Sequence, residues 1–274
     1  NFYKPINGKM PRFGDLCLIT KVSSGSNTNN LNFALLGDPA LRLAYPKYTV
    51  ATAGVNGNIV TTSSKDTLKA LGAISVAGYI QGANGDTLKS FNGVIYPTVF
   101  DKAQSITTLS NDGTSSPPYN FSSQKNILYR GKVSVVNGKF SFSFVVPKDI
   151  AYQYGIGNIS YYAENGLEDA SGYYNKVVIG GSSPNIANDA AGPELKLFLN
   201  NDKFVYGGTT NEDPQLYAVL KDSNGVNTVG NGIGHDITCV MDGQTENVIV
   251  LNDYYQADMN SYKSGSIRYS FKNL

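Results

Sequence analysis

The chain has no tryptophan, one histidine and only two cysteines, and each scarcity excludes something. Zinc takes three or four N, S or carboxylate ligands, and one His with the widely separated Cys17 and Cys239 is a poor set for it. Two distant cysteines build no disulfide framework. Each sits in an apolar setting (Leu16-Cys17-Leu18, Thr238-Cys239-Val240), where a thiol acts as a small core hydrophobe. Charge of one sign is lacking too: 22 basic and 21 acidic residues leave a net +1. That offers no field to attract nucleic acid or an anionic membrane. No apolar run approaches the roughly 20 residues that span a bilayer, so direct membrane insertion is not expected. The opening "NFYKPINGKMPRFGD" lacks the basic-then-apolar order of a signal peptide; an export signal, if there is one, is expected upstream of Asn1.

What is abundant is 19 Tyr, 12 Phe and 29 Gly. Aromatic residues suit a pleated, half-buried surface and glycines suit tight turns, so the fold class predicted is mainly β. With 274 residues, 41% of them hydrophobic, the chain can bury more than one ordinary core.

The pattern changes along the chain. Residues 11–22, "PRFGDLCLITKV", place Phe13, Leu16, Cys17 and Thr20 on one face of a short amphipathic helix. A polar loop, "SSGSNTNN", follows, and then "NFALLGDPALRLAYP". Within it, Phe33 to Leu36 is predicted to be a buried strand stopped by Gly37-Asp38-Pro39. A helix and a buried strand make an α/β fragment too small to bury a core alone, so packing on the β region that follows is expected.

From Tyr48 the period is two. "KFSFSFVVP" sets Phe140, Phe142 and Phe144 opposite Ser141 and Ser143, and the preceding Asn137-Gly138 fits a type I′ turn; a hairpin over 131–147 is predicted. Further strands are predicted at 48–53, 73–81, 93–101, 127–136, 157–164 and 174–180. "QGANGD", "SNDGTSSPP" and "YAENGLEDASG" are predicted as long polar loops, and "KDIAYQYG" as holding a helical turn. About seven strands suggest an immunoglobulin-like sandwich. Residues 180–193, "GGSSPNIANDAAGP", have linker composition. Beyond them "ELKLFLN", "QLYAVLKD", "DITCVMDG", "NVIVLND" and "SIRYSF" supply strands of a second sandwich, short enough that truncation at Leu274 is expected. The domains predicted are 1–46, 47–182 and 183–274.

"LLGDPALRLAYP", preceded by the helix "FGDLCLITK" and an Asn-rich loop, resembles the closing segment of the gingipain-type, caspase-like cysteine peptidase domain. "GKFSFSFVVPKDIAYQYGIGNISYYAENG" and "LKDSNGVNTVGNGIGHDITCVMDG" resemble the β domains of the sortase branch of that family, which serves the type IX secretion system of Bacteroidetes. The resemblance implies two tandem immunoglobulin-like β-sandwiches preceded by a short α/β remnant of a caspase-like domain. It also implies a place on the outer face of the outer membrane, in a protein that removes the C-terminal signal of exported cargo and attaches the cargo to the surface. The implied partners are the protein's own upstream peptidase domain, secretion-system components and cargo. The family's catalytic His and Cys precede the closing segment, so no catalytic residue is carried over and this chain alone is expected to be inactive.

The residues themselves allow sharper readings. A Cys17–His235 dyad would need the two as neighbours, yet Cys17 is on an apolar helix face and His235 lies in "GIGHDI", far along the chain. His235-Asp236 fits a glycine-rich turn better than a metal site. Calcium could use the oxygen-rich "NGD", "SNDG", "DSNGVN" and "NIANDAAGPE", but none has the spaced D-x-[DN]-x-[DN]-G pattern, and such loops are ordinary turn chemistry. Tyr152, Tyr154, Tyr161, Tyr162, Tyr173 and Tyr174 could form a glycan platform in a free-standing adhesion module; strand packing is the plainer role. No catalytic, cofactor or metal residue is assigned.

Overall fold

The computed structural model describes all residues except 1–3, 26, 27, 29–31, 64, 112–116, 185–190, 229–235 and 273. The chain is mostly β, 45% strand against 7% helix, and divides into two compact units, Asn1–Lys47 and Tyr48–Leu274.

The first unit is organised by helix α1 (Phe13–Ser23). Its start is held by Asp15, whose carboxylate accepts from the Arg12 backbone N–H (3.0 Å) and from Nη2 of the Arg12 guanidinium (2.8 Å). The "GDPAL" phrase closes on the same end. The N–H of Phe13 donates to Leu41 O (2.9 Å) and that of Gly14 to Pro39 O (3.0 Å), which satisfies donors that a helix leaves unpaired in its first turn. Gly14 is required there, because a Cβ would lie 2.9 Å from the Pro39 ring. Asp38 shapes the approach by accepting from the Ala40 N–H (2.8 Å).

Two expectations for this unit are corrected. Residues 33–36 are not a buried strand: they pair with no neighbour, and Phe33 and Leu36 are 72% and 95% exposed. A strand needs a partner for its N–H and C=O groups, and none is formed for 33–36 among the described residues. On α1, Leu16 is buried and Phe13 and Cys17 half-buried, but Thr20 is exposed. Part of the "SSGSNTNN" loop lies outside the described residues.

The second unit begins with strands β1 (Tyr48–Val55), β2 (Asn58–Ile59), β3 (Asp66–Ala70), β4 (Ala73–Gln81), β5 (Gly93–Phe100), β6 (Gln104–Thr107) and β7 (Asn120–Ser123). It continues with β8 (Ile127–Arg130), β9 (Val133–Val135), β10 (Lys139–Val145), β11 (Gly155–Ile156), β12 (Asn158–Glu164), β13 (Asp169–Tyr174) and β14 (Val177–Ser182). The main sheet runs β10-β4-β1-β13-β12-β5-β8, with β9 beside β5 and β2 beside β1. A smaller sheet, β11-β14-β3, adds Leu68, Ala70, Val177 and Ile179 to the same core.

At the predicted hairpin, Asn137 (φ 50°) and Gly138 (φ 72°) form the turn, and Phe140, Phe142 and Phe144 point inward as expected. The two arms part at once, however. β10 pairs along its whole length with β4 and β9 with β5, so the turn joins the two ends of the sheet instead of starting a ladder, and the sheet curls around one core.

Between β12, β13 and β1 the departure comes from small residues where strands crowd. "YAENGLEDASG" is not a long loop but the hairpin of β12 and β13, turned by Asn165, whose Oδ1 accepts from the N–H groups of Leu167 and Glu168. Gly172 on β13 faces the backbone of β1, where a Cβ would come within 2.2 Å of Val50 O. The strand predicted at 174–180 is really β14, and that at 127–136 breaks between β8 and β9. "KDIAYQYG" contains turns and no helix. The hairpin β6–β7 was not foreseen, and part of its connecting "SNDGTSSPP" lies outside the described residues. The same holds for much of the 180–193 linker, whose first residues belong to β14.

The remaining strands are β15 (Glu194–Leu199), β16 (Gln215–Lys221), β17 (Thr238–Cys239), β18 (Ile249–Val250), β19 (Tyr255–Ala257) and β20 (Ser264–Ser270). β15-β16-β20-β19 form one sheet and β17-β18 a small pair. Leu216, Leu220, Leu251, Tyr255, Ile267 and Phe271 bury a second, separate core. The strands predicted in "DITCVMDG" and "NVIVLND" shrink to two residues each, as Asp242 and Gly243 take positive φ and a 3-10 turn follows at Asn252–Tyr254. Leu195 and Leu197 pair across from the buried Leu220 and Ala218, on the core-facing side, but are 54% and 60% exposed.

The two cores meet at a clasp. Asn260, with φ 59°, donates its N–H to Lys132 O (2.8 Å). Its Oδ1 accepts from Ser134 N (2.8 Å), and its Nδ2 donates to Ser134 Oγ (2.9 Å).

Candidate functional site

The residues that the sequence marks for chemistry fall in different units or outside the described residues. Cys17 lies half-buried on α1 in the first unit, and Cys239 on β17 in the second. Burial raises the Cys239 thiol pKa, which disfavours the thiolate that a nucleophile needs. His235 lies outside the described residues, as does part of its glycine-rich turn. Among the described residues no three His, Cys, Asp or Glu side chains gather as metal ligands would. No helix among them is long and apolar enough to cross a membrane. In the first unit the Arg12 guanidinium, through its hydrogen bonds, lowers the Asp15 pKa to about 2, the signature of a helix-start ion pair.

The six tyrosines do not share a face. Tyr161 and Tyr174 are core residues; the Tyr161 hydroxyl shares a hydrogen bond with Thr52 Oγ1 (2.8 Å), and burial raises its pKa. Tyr162 and Tyr173 lie exposed on strands, while Tyr152 and Tyr154 are exposed between β10 and β11.

The outer face of β5, β12 and β13 carries an aromatic and acidic group instead. Tyr96 and Tyr162 are cross-strand partners with ring centroids 6.4 Å apart. Tyr96 Oη donates to Glu164 (3.4 Å) and Tyr162 Oη to Asp169 (3.5 Å). Burial and then the neighbouring carboxylates raise the Tyr96 and Tyr162 pKa values, so both phenols stay protonated at neutral pH. Because these donors are directed at carboxylates of the same sheet, the group acts as cross-strand pairing; it holds no nucleophile.

A cleft lies between the two cores of the second unit, with a volume of about 490 Å³. Rings of Tyr129, Phe144, Tyr255 and Tyr262 line it, and Arg130 and Lys148 stand at its rim. Sequence reasoning missed it, since its residues come from separate stretches of the chain between Leu71 and Tyr262. The one local signal is "NGV" at 224–226, where a Cβ on Gly225 would lie 2.8 Å from the Tyr262 ring.

No protein-family model and no curated protein matches the chain. Among solved structures, the dimeric latent PorU of Porphyromonas gingivalis aligns with all of it at 28% identity and a TM-score of 0.55. The chain spans 26% of that protein's length. The sporulation control protein Spo0M of Bacillus subtilis aligns with 82% of the chain, and the chain covers 91% of it, but at 11% identity and a TM-score of 0.31. A marsupial T cell receptor aligns similarly at 11% identity and a TM-score of 0.22.

Proposed function

We propose that this chain is a non-catalytic region of a PorU-like surface cysteine peptidase, a sortase of the type IX secretion system, and that it supports and positions the catalytic domain. The observation that carries the reading is the PorU likeness along the whole chain, at an identity that a shared β architecture alone seldom brings. Two features support it. Burial raises the Cys239 thiol pKa, which disfavours a nucleophilic thiolate. The "GDPAL" segment, which resembles the end of a caspase-like domain, leaves Phe33, Leu36 and Leu41 exposed, and apolar clusters of this kind suit protein contacts. On this reading 1–46 closes the peptidase domain, 47–182 and 183–274 are supporting sandwiches, and the protein acts at the outer face of the outer membrane on exported cargo.

The gene gives the direct test. A caspase-like domain with its His and Cys should be encoded upstream of Asn1, and deleting 48–274 from the full protein should leave cargo with its C-terminal signal uncleaved. The isolated chain should not cleave unstructured peptides. Thiol-dependent cleavage abolished by Cys17→Ala, or an upstream gene sequence without such a domain, would overturn the proposal.

A further inference from the structure

The cleft between the two cores has the makeup of a ligand site. Tyr129 and Phe144 stack at 4.8 Å along one wall, and Tyr262 lies against Gly225 on another. Tyr255 is only 6% exposed, and its hydroxyl lies over Gly265, shielded from solvent. At the rim Arg130 and Lys148 are exposed, and neither has an ion pair or hydrogen bond from its side chain to a described residue. Asp149, beside them, is already engaged.

We infer that this cleft binds a small carboxylate carrying an aromatic or apolar body. The body lies over the Tyr129 and Tyr262 rings, and the carboxylate meets Arg130 and Lys148. A neutral hydrocarbon would leave both cations unused. The volume falls within the range of roughly 300–1,000 Å³ usual for small-molecule sites. This reading does not depend on the secretion role.

Calorimetric titration of the 274-residue chain with 4-hydroxyphenylacetate, and with its neutral amide as control, tests the inference. The acid should bind with a Kd of roughly 1 mM or tighter, and the amide roughly tenfold more weakly, since it lacks the charge-assisted hydrogen bonds. Arg130→Gln and Lys148→Gln should each weaken the acid several-fold without moving the melting temperature. Absence of saturable binding, equal affinity for acid and amide, or unchanged affinity in the Arg130→Gln/Lys148→Gln double variant would overturn it.

Discussion

The two cores of the second unit solve the same problem unequally. Around the first, the sheet from β10 to β8 curls until the Asn137-Gly138 turn joins its ends, and a small sheet closes the rest; Ile80, Ile95, Val99 and Ile159 are wholly buried. Around the second, four strands make an open sheet. Ile237, Cys239, Met241 and Ile249 cover its β16 and β20 side, but Leu195 and Leu197 on β15 remain uncovered. An apolar face contributes to stability only in proportion to the area removed from water. Alternation in sequence therefore marks which face a strand intends for a core, and not whether the core reaches it.

The largest test of this contrast is Phe144→Ala. Phe144 is 1% exposed and stacked on Tyr129, so its loss should cost about 3–5 kcal/mol in urea unfolding. A cost below about 1 kcal/mol would mean that the curled sheet is not tightly packed. Next comes the cross-strand pair Leu220 and Leu195. Leu220→Ala should cost about 2–5 kcal/mol and Leu195→Ala within about 0.5 kcal/mol of zero. Equal costs would show that β15 is covered in solution.

A smaller effect is expected from Gly172→Ala, which pushes a methyl toward Val50 O and should cost about 1–3 kcal/mol. The matching Gly192→Ala, with nothing within 4 Å, should be near neutral. The last effect is one of pH. Burial raises the Tyr129 phenol to about 12, whereas an unfolded tyrosine titrates near about 10. Above the unfolded value the unfolded chain sheds the proton first, so stability should fall as pH rises from about 10 to about 12. Tyr129→Phe should make that part of the profile less steep, the buried Tyr161 and Tyr255 keeping the remainder.

The predominance of strands, the alternation of Phe140, Phe142 and Phe144, and the Asn137-Gly138 turn were all legible because each is a local property. What stayed hidden depended on distant partners. β13 contains Ala170 and Gly172, small residues whose reason is the neighbouring β1, and so it passed for loop. The run Phe33 to Leu36 is apolar enough for a buried strand, but hydrophobicity does not supply the partner that a strand requires. The cleft was illegible for a stronger reason, since Arg130, Lys148 and Tyr255 carry no mutual spacing signal.

The Asn260 clasp has a mechanical side. Its three hydrogen bonds all fall on one short stretch, Lys132 to Ser134, and the bridge of Lys132 to Met259 runs parallel. A pull along β9 loads the three bonds together in shear, while a bending force across it opens them one at a time. Three bonds on so short a stretch oppose sliding of Lys132–Ser134 past Asn260 more than tilting, and they do so beside Tyr129 and Arg130 on one side of the cleft and Ala257 and Tyr262 on the other.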